Sequence, residues 1–300
     1  MTSMRTIVLG LGVAAVVAAA PAWGESLYAA DGAAGNPLTK LYILNPTNGG
    51  ALAVVGPIGF AITGLAFDPT TGDLYGSVGA QDVAAPRSLV KINRNTGAGT
   101  LIGPFGGCVM PDIAFNATGT LFGWSDSCSD EDDLFTIDIA TGAGTQVSDS
   151  GLSTFGSGLA FNAAGVLYLA GDGAQGVLRT VDPGTGVPTD GPTLSGAPGN
   201  AEAAVSALAF DGADTLFGSV LNQGSTRNAF LVTIDTSTGA VTNLGPSVDR
   251  LDAIAFGPTF PLPNPAPALT RSSMIVLAGL LAMVGIAAAT RERRRATRGT

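Results

Sequence analysis

One pattern recurs along this chain: a short apolar run, a turn, and a second apolar run. It reads GLAFDPTTGDLYG from Gly64, DIAFNATGTLFG from Asp112, GLAFNAAGVLYL from Gly158 and ALAFDGADTLFG from Ala207. A last partial copy, AIAFGP, begins at Ala253. Measured between successive Ala-Phe pairs, the spacing is 48, 46, 49 and 46 residues. A period in the forties made of strand-like pieces is the signature of a ring of four-stranded blades.

The rest of each unit fits that expectation. The second segment is Leu27-Tyr28, Leu74-Tyr75, Leu121-Phe122, Leu167-Tyr168 and Leu216-Phe217. The third is LYILN at Leu41, LVKIN at Leu89, LFTID at Leu134, LRTVD at Leu178 and LVTID at Leu231. A turn ending in glycine follows each, at Gly49, Gly97, Gly142, Gly186 and Gly239. Glycine accepts the positive φ that a tight hairpin imposes. The fourth segment is ALAVVG, GTLIG, GTQVS, a weaker VPTDG and AVTNLG. Four β runs with their turns fill the unit and leave no space for a useful helix.

The two ends carry the topology. The first unit starts at its second segment, Leu27-Tyr28, while the last Ala-Phe run, Asp252 to Phe256, has only a proline-rich stretch after it. Joined, these fragments make one blade. The fold expected is an all-β, five-bladed propeller over 25–258, closed by N- and C-terminal strands sharing a blade. The alternative is a linear stack of β units, whose ends would carry atypical caps. In the ring, the Ala-Phe runs are innermost, and alternation sends Leu65 and Phe67 to one side and Ala66 to the other.

Composition narrows the chemistry. The chain is 46% hydrophobic and 12% charged, with 43 glycines and no histidine. Without histidine, Ser-His-Asp and Cys-His nucleophile schemes and imidazole metal ligands are excluded. Between residues 25 and 258 there are 7 basic against 22 acidic residues. Such a body repels phosphate backbones, so no nucleic-acid partner is expected.

Residues 1–24 read as a signal peptide: Arg5, an apolar core from Ile7 to Ala20, and small residues before cleavage after Ala22 or Gly24. A retained membrane anchor is the alternative. In an oxidising compartment Cys108 and Cys128, the only cysteines, are expected to pair. Cys108 precedes the first strand of its blade and Cys128 follows the second, positions that emerge on the same face. The carboxylates of Asp126, Asp130, Glu131, Asp132 and Asp133 surround Cys128 and could chelate Ca²⁺, a hard ion taking six to eight oxygens. Their spacing fits no standard calcium loop, and a solvated acidic loop is the alternative. No other cofactor is implied.

A catalytic site would sit where the ring axis opens. Side chains near the start of the innermost strands are Thr63, Asp112, Ser157, Ser206 and Asp252, with Glu202 in a preceding loop. Glycoside hydrolysis needs a carboxylic acid and a carboxylate at set separation, and Asp112, Asp252 and Glu202 are the candidates. No aromatic cluster stands out as a sugar platform.

The repeats resemble those of exported bacterial β-propellers reading AFxPxGxLYG…LxxIDxxTGxxTxxG, a set uniform in architecture and diverse in activity. After Pro258 the chain changes character. Residues 259–271 are a proline-rich linker, 272–290 an expected transmembrane helix around the apolar run Met274 to Ala289, and 291–300 a basic tail with Arg291, Arg293, Arg294 and Arg295. The positive-inside rule keeps the arginines cytoplasmic and the body outside. The stretch PALTRSSMIVLAGLLAMVGIAAATRERRR resembles the C-terminal sorting signals of exosortase-type systems, the IPTL-CTERM variant in particular. Pro267, Leu269 and Thr270 occupy its Pro, Leu and Ser/Thr positions, and Ala268 stands where Thr is usual. That resemblance implies a membrane protease acting near Pro267. An ordinary single-span anchor would give the same topology.

These readings converge on an exported propeller, displayed on or released from the cell envelope, acting as a non-catalytic binding or matrix module for a partner such as an extracellular polysaccharide. A secreted glycan-active enzyme and a calcium-stabilised structural protein are the alternatives.

Overall fold

The computed structural model describes residues 25–32, 39–126, 128, 132–154, 157–171, 176–199, 204–222 and 227–262. The signal peptide, the sorting motif Pro267–Thr270, the apolar segment and the basic tail therefore lie outside the described residues, as do Asp130, Glu131 and Glu202. Among the described residues no helix is long and apolar enough to cross a membrane. The chain divides into two units, Met1–Phe260 and Pro261–Thr300, and the first carries the fold.

Twenty strands form five antiparallel sheets of four, every described element being a strand, turn or loop. Blade 1 pairs β20 (Ala253–Pro258) with β1 (Glu25–Ala30), β2 (Lys40–Leu44) and β3 (Ala51–Pro57). Blade 2 is β4 (Ile62–Phe67), β5 (Leu74–Val78), β6 (Ser88–Ile92) and β7 (Gly99–Pro104). Blade 3 is β8 (Val109–Phe115), β9 (Leu121–Asp126), β10 (Leu134–Ile137) and β11 (Gly144–Gln146). Blade 4 is β12 (Gly158–Phe161), β13 (Leu167–Ala170), β14 (Val177–Val181) and β15 (Pro188–Thr193). Blade 5 is β16 (Ala204–Phe210), β17 (Leu216–Leu221), β18 (Ala229–Ile234) and β19 (Val241–Pro246).

The two ends of the propeller segment meet as its mismatched units require. β1 and β20 pair from Glu25↔Pro258 to Ala30↔Ala253, six rungs that complete blade 1 and shut the ring. A linear stack would leave β1 and β20 apart. Tyr28 Oη donates to the Pro258 carbonyl at 3.0 Å and Phe260 N donates to Ser26 Oγ at 2.9 Å, extending the closure past the last rung.

The buried side chains fall into five clusters, one at each blade–blade interface. Alternation on the innermost strand accounts for this. Leu65 and Phe67 face blade 1, whereas Ala66 faces blade 3. With both faces covered, a strand is apolar almost throughout; β5 and β17 are buried along their whole length.

A second regularity was not read from the sequence. At every interface the aromatic of one blade's second strand meets the innermost Phe of the next blade. The pairs are Tyr28–Phe67, Tyr75–Phe115, Phe122–Phe161, Tyr168–Phe210 and Phe217–Phe256, with centroids 4.9–5.5 Å apart and tilted or edge-on rings. These are the geometries favoured by the ring quadrupole, worth about 0.5–1.5 kcal/mol each beyond burial. The last pair belongs to the interface sealed by the C-terminal strand.

At the outer rim, glycines allow close approach between blades. A Cβ on Gly56 would stand 2.1 Å from the Thr96 carbonyl, and one on Gly103 would stand 2.2 Å from that of Thr141. The hairpin glycines at 49, 97, 142, 186 and 239 all have φ between 70° and 83°, as their turns demand. The fourth strand of blade 4 is not weak: β15 spans six residues, while β11 has only three.

Candidate functional site

Each innermost strand starts at what we call the upper face, where the loops between second and third strands also emerge. The tight turns occupy the lower face. At the upper face the structure brings together most of the residues singled out above, but not in the expected register. Counting back from the Ala-Phe pairs, Thr63, Ser157, Ser206 and Asp252 share one position, which blade 3 fills with Pro111. Asp112 stands one residue deeper, in the column otherwise held by Gly64, Gly158, Ala207 and Ala253.

That single step changes its role. Asp112 is fully buried. One carboxylate oxygen, Oδ2, accepts from Leu159 N at 2.9 Å and Leu208 N at 3.1 Å; the other accepts from Ile113 N at 2.9 Å. One side chain thus ties the innermost strands of blades 3, 4 and 5 across the axis. The small residues in its column make space: a Cβ on Gly64 would lie 2.7 Å from the Asp112 Cα. Burial drives the carboxyl well above the usual carboxylate range, the three N–H groups pull it back, and the nearby Asp252 charge raises it further. Asp112, a candidate acid of the alternative enzyme reading, thus serves as a structural tie, with both carboxylate oxygens accepting from backbone donors.

Asp252 is half-buried at the mouth of the axis. Burial lifts its pKa to about 7, opposed by the Arg227 guanidinium and by the Ser206 hydroxyl. Ser206 Oγ is buried and, although close enough to act electrostatically on Asp252, completes no hydrogen bond of good geometry. Asp252 N donates to Ala30 O at 3.0 Å, within the closure. Thr63 Oγ1 approaches Ser77 Oγ at 3.2 Å and donates to Met110 O at 3.3 Å, linking blade 2 to blade 3. Arg227 was not anticipated, because its loop carries no repeat signal.

Beside the axis, Cys108 and Cys128 form a disulfide with Cα atoms 4.5 Å apart. Of the acidic run, Asp132 and Asp133 are buried. Asp132 Oδ2 accepts from Thr154 N and from Thr154 Oγ1; Thr154 Oγ1 in turn accepts from Trp124 Nε1 and Ser157 Oγ at 3.0 and 2.9 Å. Asp133 accepts from Gln146 Nε2 and Ser150 N, both at 2.7 Å. The two carboxylates pin the loop leading into blade 4. Asp126 ends β9, pairing with Val109. Among the described residues no group of three or more His, Cys, Asp or Glu is arranged to hold a metal.

The sequence reading also passed over a cleft on blade 2. It takes in about 380 Å³ at the lower face, between the Thr71–Asp73 turn with the start of β5 and the end of β6 with the turn that follows it, and is lined also by Ala98 and Thr100. Lys91 Nζ meets Asp73 Oδ2 at 2.7 Å, and Arg94 makes one long bond, 3.4 Å, to the Gly72 carbonyl.

No family model and no curated protein matches this chain. Solved structures do. The crystal structure of a nidogen/laminin complex contains a chain that superposes with a TM-score of 0.52 at 14% identity, over 78% of this chain and 98% of that one. TolB from Acinetobacter baumannii gives a TM-score of 0.47 at 16% identity, over 75% of this chain and 53% of its own. The PQQ-bound aldose sugar dehydrogenase of Streptomyces coelicolor gives 0.39 at 19%, over 62% and 63%. The likeness is one of fold. It establishes a β-propeller and leaves activity to the residues themselves.

Proposed function

We propose that this chain is an exported propeller serving as a non-catalytic binding module, held at or released from the cell envelope by an exosortase-type membrane protease acting near Pro267. The observation that carries the reading is the use of Asp112. Asp112, fully buried on the axis, is spent holding three blades together, which supports a scaffold over a reaction centre. The disulfide favours an oxidising compartment. The nidogen/laminin likeness fits a role in recognition, and the acidic body disfavours nucleic acid. Polysaccharide outside the cell is the partner class we favour, with the membrane reached through the 272–290 segment. The test is a glycan array read with the purified full chain, paired with mass analysis in cells with and without their exosortase. Binding without turnover, and a tail lost only when the protease is present, are expected. Retention of the tail in both strains would remove the sorting step.

One observation favours a second reading, a glycan-active enzyme. Asp252, at the axial mouth with a pKa of about 7, is suited to donate a proton near neutrality. Its partner would be Glu202. Hydrolysis of any polysaccharide in a panel, abolished by Asp252→Asn, would establish this reading; no turnover across the panel would end it.

A further inference from the structure

The five repeats serve as controls for one another, and the cleft on blade 2 departs from the other four blades. At the Lys91 position the remaining blades carry Ile43, Thr136, Thr180 and Thr233; at the Arg94 position they carry Pro46, Ile139, Pro183 and Thr236. None is cationic. The head of the turn is Asp138, Asp182 and Asp235 in blades 3 to 5 but Asn45 in blade 1 and Asn93 in blade 2, so the departure peculiar to blade 2 is its pair of cations. Packing does not explain the change, since Lys91 is exposed and blade 2 keeps the same turn and register. Within a body holding 7 basic and 22 acidic residues over 25–258, two of the cations are gathered in one cavity.

The cleft is not merely charged. Asn93 Oδ1 is used by Asn95 N and Thr96 N, at 3.0 and 3.2 Å, which leaves its amide NH₂ to donate. Asn95 and Thr100 add an amide and a hydroxyl. The Lys91–Asp73 pair offers both a donor and an acceptor to a hydroxylated ligand. Arg94, engaged only through its long bond to Gly72, retains the planar fork that grips a carboxylate by two parallel hydrogen bonds. The lining is mostly polar, with Leu74, Ile92 and Ala98 as its apolar members.

We propose that the cleft between the two lower turns of blade 2 binds a uronic acid residue of a glycan, with Arg94 taking the carboxylate and Lys91, Asp73, Asn93 and Asn95 taking hydroxyls. This deepens the binding-module reading and rests on it.

The test is isothermal titration of the full chain with tri-galacturonic acid, its methyl ester and sodium sulfate. The acid binds, the ester binds at least tenfold more weakly, and sulfate competes only at much higher concentration. Arg94→Gln weakens the acid at least tenfold with an unchanged melting temperature, Arg94→Lys recovers part of the loss, and Lys40→Gln, an exposed cation elsewhere, has no effect. Equal binding of acid and ester, unaltered binding by Arg94→Gln, or sulfate competing as well as the sugar would each overturn the assignment. If neutral glycans bind on the array while the uronate does not, the cleft is refuted and the binding module survives.

Discussion

Asp112 shows how one residue out of register alters what a site can do. A carboxylate that accepts three buried N–H groups cannot be trimmed without leaving them unpaired, and each orphan costs about 1–3 kcal/mol. Asp112→Ala is therefore expected to destabilise the ring by at least about 3 kcal/mol. Asp112→Asn, which must turn an NH₂ toward a donor or twist away, should lose somewhat less. Urea unfolding of both variants checks this, and a loss below about 1 kcal/mol would mean that the tie is dispensable. The acidic loop makes the opposite case. Asp132 Oδ2 and both carboxylate oxygens of Asp133 already accept from protein donors, so calcium has little to add. The melting temperature should move by less than about 1 °C between excess Ca²⁺ and chelator; a rise of several degrees with Ca²⁺ would restore the metal reading. The disulfide closes a loop with 20 residues of sequence separation, for which chain entropy gives about 3 kcal/mol. Replacing Cys108 and Cys128 by serine should lower the melting temperature by about 6–12 °C for a domain of this size.

At the scale of strands and blades, closure depends on a short terminal element. β20 contributes six rungs to β1 and also Phe256, whose ring sits 5.0 Å from that of Phe217 across the final interface. Phe256→Ala removes the aromatic pair together with part of the core between blades 5 and 1, at a cost of about 3 kcal/mol or more. Phe67→Ala, at an interface joined by consecutive chain, should cost a similar amount at equilibrium. The two are distinguished by kinetics: if blade 1 opens first, Phe256→Ala accelerates unfolding more than Phe67→Ala does. Stopped-flow unfolding of the pair decides it, and equal acceleration would show that the ring has no preferred seam. This level of structure was the most legible in the sequence. Ala-Phe spacing, hairpin glycines and mismatched ends are local signals that the fold must respect. The aromatic ring pairs were hidden because they join residues from different repeats, and a single repeat says nothing about which face meets which neighbour. The Asp112 column was visible in principle. Aligned by its Ala-Phe pair, blade 3 places a carboxylate where every other blade has Gly or Ala, a departure only a central gap can absorb. Arg227 had no comparable signal, since the loops between second and third strands follow no period.

For the whole molecule, the axial acids Asp112 and Asp252 invert the usual dependence of stability on pH. Asp252 titrates at about 7 in the folded ring against 3.8 for an ordinary aspartate, and Asp112 is shifted in the same direction. Between those values the native state binds more protons than the unfolded chain, so stability falls as pH rises through that window. On the acid side the sign reverses. Burial of Asp68 is outweighed by its bonds from Thr70 and Thr71; Asp138 is held down by Ala140 N and Thr141, and Asp235 by Ser237 and Thr238. Their contributions are present above about pH 4 and vanish as pH drops through their lowered values. Greatest stability is thus expected near pH 4–5, with a decline toward pH 8. Mutual repulsion within the acidic body has the same sign, so the two causes must be separated. Salt does this: at high ionic strength exposed charges are screened, while buried and half-buried ones are screened much less. In 0.5 M NaCl the wild-type urea midpoint should still fall between pH 5 and 8, and Asp252→Asn should flatten most of that fall, gaining on the order of 1–3 kcal/mol at pH 8. A wild-type midpoint that stays level over this range, or an Asp252→Asn curve parallel to wild type, would show that the axial carboxyl ionises freely in the folded ring.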